Sequence, residues 1–249
     1  MNSYPLVTIV TPTYNSEKFL EKTILSVINQ SYKNIEYIII VGNSDDGTIK
    51  IVKKYKKKIS YIIKENDEVM YDAIKKGFSR GKGKYFFWVN SDDLLFKNAI
   101  KDAVNIMEIK NYKWIVGQAH VMGSNNRILN RGLYHYPNWI IKNGLANPCF
   151  WGFIPQESVI FTSKLYHLVG GIQTRYKLAG DFDLWKRFSQ KTNLRSVNIK
   201  IGIFRKRQGQ LSEDKKKYFK EINKKNCLIP FGKILRLIYS LSINLIKNS

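Results

Sequence analysis

The sequence is short of cysteine, histidine, proline and acid, and each shortage narrows what the chain can be. Its two cysteines, Cys149 and Cys227, exclude a multi-disulfide framework and a four-cysteine zinc site, and point to a reducing compartment. Its three histidines, His120, His135 and His167, fall at no metal-ligand spacing and read as structural or surface residues. Six prolines and sixteen glycines in 249 residues exclude a collagen-like or low-complexity chain. No run of ~20 uncharged apolar residues is present, so no ordinary membrane-spanning helix is expected. The opening Met1-Asn2-Ser3-Tyr4-Pro5 has neither a basic stretch nor a cleavage site, so no signal peptide is expected. The turn at 42–48 lacks the G-x-G-x-x-G dinucleotide fingerprint. No glycine–lysine pair in 77–84 is followed by Ser or Thr as a P-loop needs.

Acid is outnumbered, with 19 Asp+Glu against 42 Lys+Arg and a net charge of +23. Such an excess suits a polyanionic neighbour: nucleic acid, anionic lipid or a phosphate-bearing ligand. Nucleic acid is the poorest of these, because the lysine run at 53–58 has only Tyr55 for bases to stack on.

What is present is an alternation of short β-branched runs and amphipathic stretches. Val7–Thr11, Glu36–Val41, Ile59–Ile63 and Lys84–Val89 read as buried strands. Between and after them, helices are expected over Phe19–Ile28, Thr48–Tyr55, Met70–Phe78 and Ala99–Met107. This predicts an α/β fold with a mostly parallel central sheet flanked by helices. Ligands of such sheets bind beyond the carboxyl ends of the strands. The polar segments Thr11–Asn15, Val41–Asp46 and Asn90–Asp93 should therefore converge on one sheet edge.

Further on, 114–117, 119–122 and 159–161 read as strands and Phe182–Ser189 as a helix, while 131–155 reads as a loop-rich segment shaping a pocket. The tail changes character. Lys215, Lys216, Lys217, Lys220, Lys224 and Lys225 precede the apolar stretch Leu228–Ile246, in which Phe231, Leu235, Ile238, Leu241 and Leu245 share a face. A basic amphipathic helix lying in a membrane interface fits this pattern; a helix docked on the core is the alternative. The division expected is 1–212 for the main domain and 213–249 for a helical tail.

Two acidic segments invite chemistry. Asn90-Ser91-Asp92-Asp93 ends a buried strand, where adjacent carboxylates repel; a shared divalent cation would relieve them, and capping of the next helix is the other reading. Asp181, in Ala179-Gly180-Asp181-Phe182-Asp183, can cap a helix or serve as a general base to a substrate hydroxyl.

The ordered set Thr8–Asn15, Gln30-Ser31-Tyr32, Asn34-Ile35-Glu36, Ser44–Thr48, Tyr71–Gly77, Asn90–Asp93, Gln156 and Asp181–Trp185 resembles family 2 glycosyltransferases, which have the GT-A fold. It runs over roughly residues 5–212. The resemblance implies transfer of a sugar, with inversion, from a nucleotide diphosphate donor (a UDP- or dTDP-sugar) to a hydroxyl of a glycan or lipid-linked acceptor, in polysaccharide or lipid-linked glycan synthesis. It implies Mn²⁺ or Mg²⁺ as cofactor, and a cytoplasmic enzyme peripheral on the inner face of the plasma membrane. Thr11, Pro12 and Tyr14 would flank base and ribose, with Asn43 and Asp72 also on the donor. Ser91-Asp92-Asp93 corresponds to the DxD-type motif, Asp92 on the ribose side and Asp93 on the metal. Asp181 would be the base, with Gln156 and Trp185 on the acceptor side, and Gln208–Ser212 resembles the loop that closes near the diphosphate. Two departures stand out. Val41 replaces an acid that contacts the pyrimidine ring, and Val69-Met70 replaces a glycine before the Tyr71 segment. The alternatives are a degenerate, non-catalytic transferase-like binding protein and a nucleotidyltransferase; the latter would carry a glycine-rich basic loop that Thr11–Asn15 lacks.

Overall fold

The computed structural model describes residues 4–64 and 69–223, together with 234, 238 and 239. Its first half follows the expected alternation. Strand β1 (Val7–Thr13) is buried along its whole length. Helix α1 (Leu20–Ile28) turns Leu20, Thr23, Ile24 and Val27 inward, the stripe that their spacing predicts. Then come β2 (Ile35–Val41), α2 (Thr48–Lys54), β3 (Tyr61–Lys64), α3 (Met70–Arg80) and β4 (Tyr85–Trp88). Strands β2 and β4 flank β1 in parallel, with Thr11 opposite Ile39 and Val10 opposite Trp88. Helix α3 presses closely on β1 because Gly77 has no side chain: a Cβ there would stand 2.5 Å from Val10 Cγ1.

The second half is mixed in direction. It comprises β5 (Leu94–Leu95), α4 (Ala99–Lys110), β6 (Trp114–Met122), β7 (Ile128–Gly132), α5 (Asn138–Lys142), β8 (Val159–Thr162), α6 (Ser163–Leu168), α7 (Gly180–Ser189), β9 (Arg195–Lys200), β10 (Gly202–Arg205) and α8 (Lys215–Glu221). The sheet order is β3-β2-β1-β4-β8-β6-β10-β5, with β7 and β9 also pairing β6. Strand β8 is antiparallel to both β4 and β6, whereas β10 runs parallel to β6 and antiparallel to β5. The two strands expected at 114–117 and 119–122 are one. Gly117 lets β6 pass close to β9, where a Cβ would meet the Ile199 carbonyl oxygen at 2.8 Å, and the register shifts at that point.

Apolar residues fill both faces of the sheet. One layer gathers Val10, Ile38, Trp88, Phe161 and Trp185; the other gathers Ile9, Ile24, Ile39, Phe87 and Ile100. In the 131–155 segment Cys149 is buried and disulfide-bonded, where the low cysteine count led to an expectation of reduced thiols. The amphipathic stretch expected at Leu228–Ile246 lies outside the described residues except for positions 234, 238 and 239. Among the described residues no helix is long and apolar enough to cross a membrane.

Candidate active site

The strand-end loops after β1, β2 and β4 are tied to one another. The Gly42 N–H donates to the Thr13 carbonyl (2.8 Å), the Asn15 N–H to Ser44 Oγ (3.1 Å) and the Asp45 N–H to Asn15 Oδ1 (3.1 Å). Asn15 reaches these partners from a left-handed backbone, φ 44°, which its short polar side chain tolerates. Ser16 Oγ meets Ser91 Oγ at 2.7 Å, and Thr23 Oγ1 lies 2.9 and 2.8 Å from the carbonyl oxygens of Ser91 and Asp93. The three polar segments thus meet on one edge, as a parallel sheet predicts.

On that edge the two adjacent acids differ. Asp92 Oδ2 accepts from Arg207 Nε at 2.7 Å, and Gln210 Nε2 approaches the same oxygen at 3.4 Å. The Asp92 carbonyl accepts from Arg205 Nε (2.8 Å). Asp93 is 1% exposed; its Oδ1 accepts from the Arg205 N–H (2.9 Å) and its Oδ2 from Asn90 Nδ2 (3.3 Å). Burial, then the neighbouring charges of Asp92 and Glu157, pushes the Asp93 carboxyl well above the ordinary carboxylate range. Helix α4 starts at Ala99 with Asn98 as its cap residue, so neither acid caps it.

Arg205 and Arg207 both lie over the Phe19 ring, 5.2 and 5.5 Å from its centroid. Arg205 Nη2 is buried without a partner. Neither arginine is visible as a site residue in the sequence. The available signal is their alternation at the end of a strand just before Gln208–Ser212, in a chain where basic residues are common everywhere.

The acid assigned as base sits on a helix. Asp181 lies in the first turn of α7, whose cap residue is Ala179, so Asp181 is not the cap. Its Oδ1 accepts from the Phe182 N–H (2.8 Å) and lies 3.2 Å from the Tyr71 hydroxyl. A Cβ on Gly180 would meet Tyr71 Cδ2 at 2.7 Å, so glycine is what lets the loop lie on this ring. Burial raises the Asp181 carboxyl to about 6, against the opposing pull of those two hydrogen bonds. Buried Glu157 is raised to about 7, first by burial and then by the charge of Asp181. Since Glu157 also acts on Asp93, it links the two acidic positions electrically. Gln156 adds a polar link, accepting from Asn90 Nδ2 (3.3 Å) and donating to the Trp88 carbonyl (2.8 Å).

The remaining expected residues separate. Tyr14 and Asn43 are exposed at the rim, and Asp72 is half-buried in the first turn of α3. Pro12 is buried in β1, and so is Thr11, whose hydroxyl lies 3.1 Å from that of Tyr37. Trp185 is a correction. It is 2% exposed and stacks between Trp88 and Trp114, at centroid distances of 5.5 and 5.7 Å, so it belongs to the core rather than to the acceptor side. Sequence spacing put it on α7 but could not say which face of the helix it occupied. Val41 is buried at the end of β2, where it offers no acceptor to a base.

The donor set bears on the expected cation. Among the described residues no three His, Cys, Asp or Glu side chains are grouped to hold a metal. Asp93, the expected ligand, is buried, and each of its oxygens accepts one hydrogen bond, from the Arg205 N–H and from Asn90, which leaves each a further lone pair for a cation. Asp92 fits as a single carboxylate sharing a hard cation with a ligand's phosphates, a mode in which Mg²⁺ commonly binds.

Comparisons with known proteins give the family and the fold. The family model for glycosyl transferase family 2 matches residues 8–165. The chain belongs to that family. It is 34% identical over 191 residues to an uncharacterized glycosyltransferase of Rickettsia bellii, covering 73% of this chain and 27% of that protein. It is 31% identical over 168 residues to the Staphylococcus aureus poly(ribitol-phosphate) beta-N-acetylglucosaminyltransferase TarP, covering 64% of this chain and 51% of TarP. The crystal structure of S. aureus TarS 1-349 in complex with UDP-GlcNAc superposes with a TM-score of 0.68 at 20% identity, over 84% of this chain and 61% of that one. The fold of this family 2 member is accordingly GT-A-like, and the chain spans only part of the length of these relatives.

Proposed function

We propose that this chain transfers a sugar from a nucleotide diphosphate donor to an acceptor hydroxyl, inverting the anomeric carbon. The observation that carries the reading is Asp181: an acid raised to about 6, held by Tyr71, and linked through the charge of Glu157 to the acidic loop of the arginine-bound Asp92. At neutral pH a group of this kind is mostly ionised yet still a useful proton acceptor. The acceptor hydroxyl loses its proton to Asp181 as its oxygen forms a bond to the anomeric carbon. The carbon–oxygen bond to the diphosphate breaks, and its electron pair leaves with the phosphate. Arg207, and Arg205 with its unpartnered Nη2, supply fixed positive charge where negative charge develops. A cation held at Asp92 would add Lewis-acid stabilisation of the same leaving group when bound.

Family membership and the TarS complex with UDP-GlcNAc support a nucleotide-sugar donor; Val41 leaves the base unselected at that position. The name of TarP supports a cell-surface polymer as acceptor class. The basic tail supports a peripheral site on the inner face of the plasma membrane, with the acceptor lipid-linked. A panel of nucleotide sugars, scored for nucleotide diphosphate release with and without Mn²⁺ or Mg²⁺, tests the reading. At least one donor should turn over, and Asp181→Asn should lower transfer by about 10²–10⁴-fold with donor affinity unchanged. Equal turnover by wild type and this variant would remove Asp181 from the chemistry. No turnover of any donor, with nucleotide still bound, would favour the non-catalytic alternative.

A further inference from the structure

Helix α8, assigned by its sequence to the tail, reaches back to the segment that carries the proposed base. Glu221 accepts hydrogen bonds from three successive backbone amides: Lys177 (3.0 Å to Oε1, 3.2 Å to Oε2), Leu178 (2.9 Å) and Ala179 (3.0 Å). No other acceptor is described for these amides. Converging N–H groups of this kind make a concave nest for an anion, and here the occupant is the chain's own carboxylate. Two residues later stands Asp181. The 177–181 segment is therefore gripped from two sides, by Glu221 on one and by the Tyr71 ring lying against Gly180 on the other. Truncating Glu221 takes the acceptor from three amides, and removing the Tyr71 ring opens the other face.

One turn before Glu221, Tyr218 faces the same place. It is 8% exposed, with its ring edge-on to Phe182 at 6.4 Å and to Phe153 at 5.2 Å. Its hydroxyl is buried without a partner. Its ionisation is suppressed by burial and then by the charges of Asp181 and Glu221, so the phenol stays protonated as a donor beside the base. Beyond burial, the charge of Asp181 in turn raises Tyr71, Glu157 and Tyr218 on the elements around it.

We propose that α8 is a working part of the transfer site: Glu221 is a positioning residue that fixes the backbone from which Asp181 projects, and Tyr218 closes that side and offers its hydroxyl to the incoming acceptor. The inference rests on the transferase reading above. It adds residues that the family match, which ends at 165, does not reach.

The test uses the full chain with a donor that the panel has shown to turn over. Glu221→Ala should lower kcat for transfer by about 10²-fold, the scale on which misplacing a reactive group by ~1 Å acts, with donor KM unchanged. It should speed amide exchange at 177–179 and move the acid limb of the pH–rate profile to lower pH, because a loosened loop lets water reach Asp181. Glu221→Gln, which keeps an oxygen acceptor, should recover most of the rate. Tyr218→Phe should raise acceptor KM several-fold and leave donor hydrolysis unchanged. An inactive wild type would sink the transferase reading itself. An active wild type matched by Glu221→Ala, with the acid limb unmoved, would overturn the clamp alone. Parallel loss of donor binding and Tm in Glu221→Ala, without rescue by Glu221→Gln, would reduce Glu221 to a structural residue and overturn it as well.

Discussion

Arg207 Nε and Asp92 Oδ2 stand 2.7 Å apart although their residues are 115 positions apart in sequence. The pair joins the loop after β10 to the acidic loop after β4. A nucleotide diphosphate entering here would find the Arg207 guanidinium already held in place. Arg207→Gln should therefore weaken nucleoside diphosphate binding by about tenfold or more, as expected for loss of a charge-assisted hydrogen bond. Arg207→Lys should recover only part of that, since a point charge cannot serve Asp92 and a phosphate in one plane. Titration calorimetry with the free diphosphate reads both.

The state of Asp181 predicts a pH profile. Its carboxyl is raised to about 6, and the base works only when deprotonated. Transfer should thus be steady above neutrality and fall tenfold per unit as pH drops through about 6. An acid limb near the ordinary aspartate value of ~3.9 would show that Asp181 is not the titrating base.

Asp93 predicts a contrast between two substitutions. Its carboxyl is pushed well above the ordinary carboxylate range by burial, and its oxygens serve the Arg205 N–H and Asn90. Asp93→Asn should retain fold and most activity. Asp93→Ala should cost about 1–3 kcal/mol of stability by leaving buried donors unmatched. Denaturant unfolding measures the difference. Complete loss of cation-dependent turnover in a stably folded Asp93→Asn would make Asp93 a ligand.

Raised acids also store a pH dependence of stability. Glu157, raised to about 7, and Asp181, raised to about 6, bind protons more tightly folded than unfolded. Their effect is to make the folded state gain stability as pH falls from about 8 towards 5, and lose it as pH rises through these values. Glu157→Gln should flatten the curve of Tm against pH over that window.

Trp185 is expected to behave as core. Trp185→Ala opens a hole between Trp88 and Trp114 and should cost about 3–5 kcal/mol. Trp185→Phe should cost less and leave acceptor KM unchanged.

The parallel half of the fold is legible in the sequence because its strands are buried on both faces and written almost wholly in apolar residues, as in Ile38-Ile39-Ile40. The same signal fails for β9, where Asn198 and Lys200 alternate with Val197 and Ile199 and only Val197 is buried. Asp181 and Asp92 are legible through the ordered motifs around them. Arg207, Glu221 and Tyr218 are not, because each acquires its role through a partner far away in sequence, and a basic tail looks the same whether it is solvated or docked. Trp185 shows the converse. A motif supplies the residue but not the direction in which it points.

Strand β10 contacts β6 on one side and the two-residue β5 on the other, and it carries Arg205 into the acidic loop. The acidic loop is thus held by a strand that lies 112 positions later in the chain. Opening β10 away from β5 would take the Arg205 N–H from Asp93 and loosen the Arg207 partner of Asp92 together, so the acidic loop comes apart as one unit.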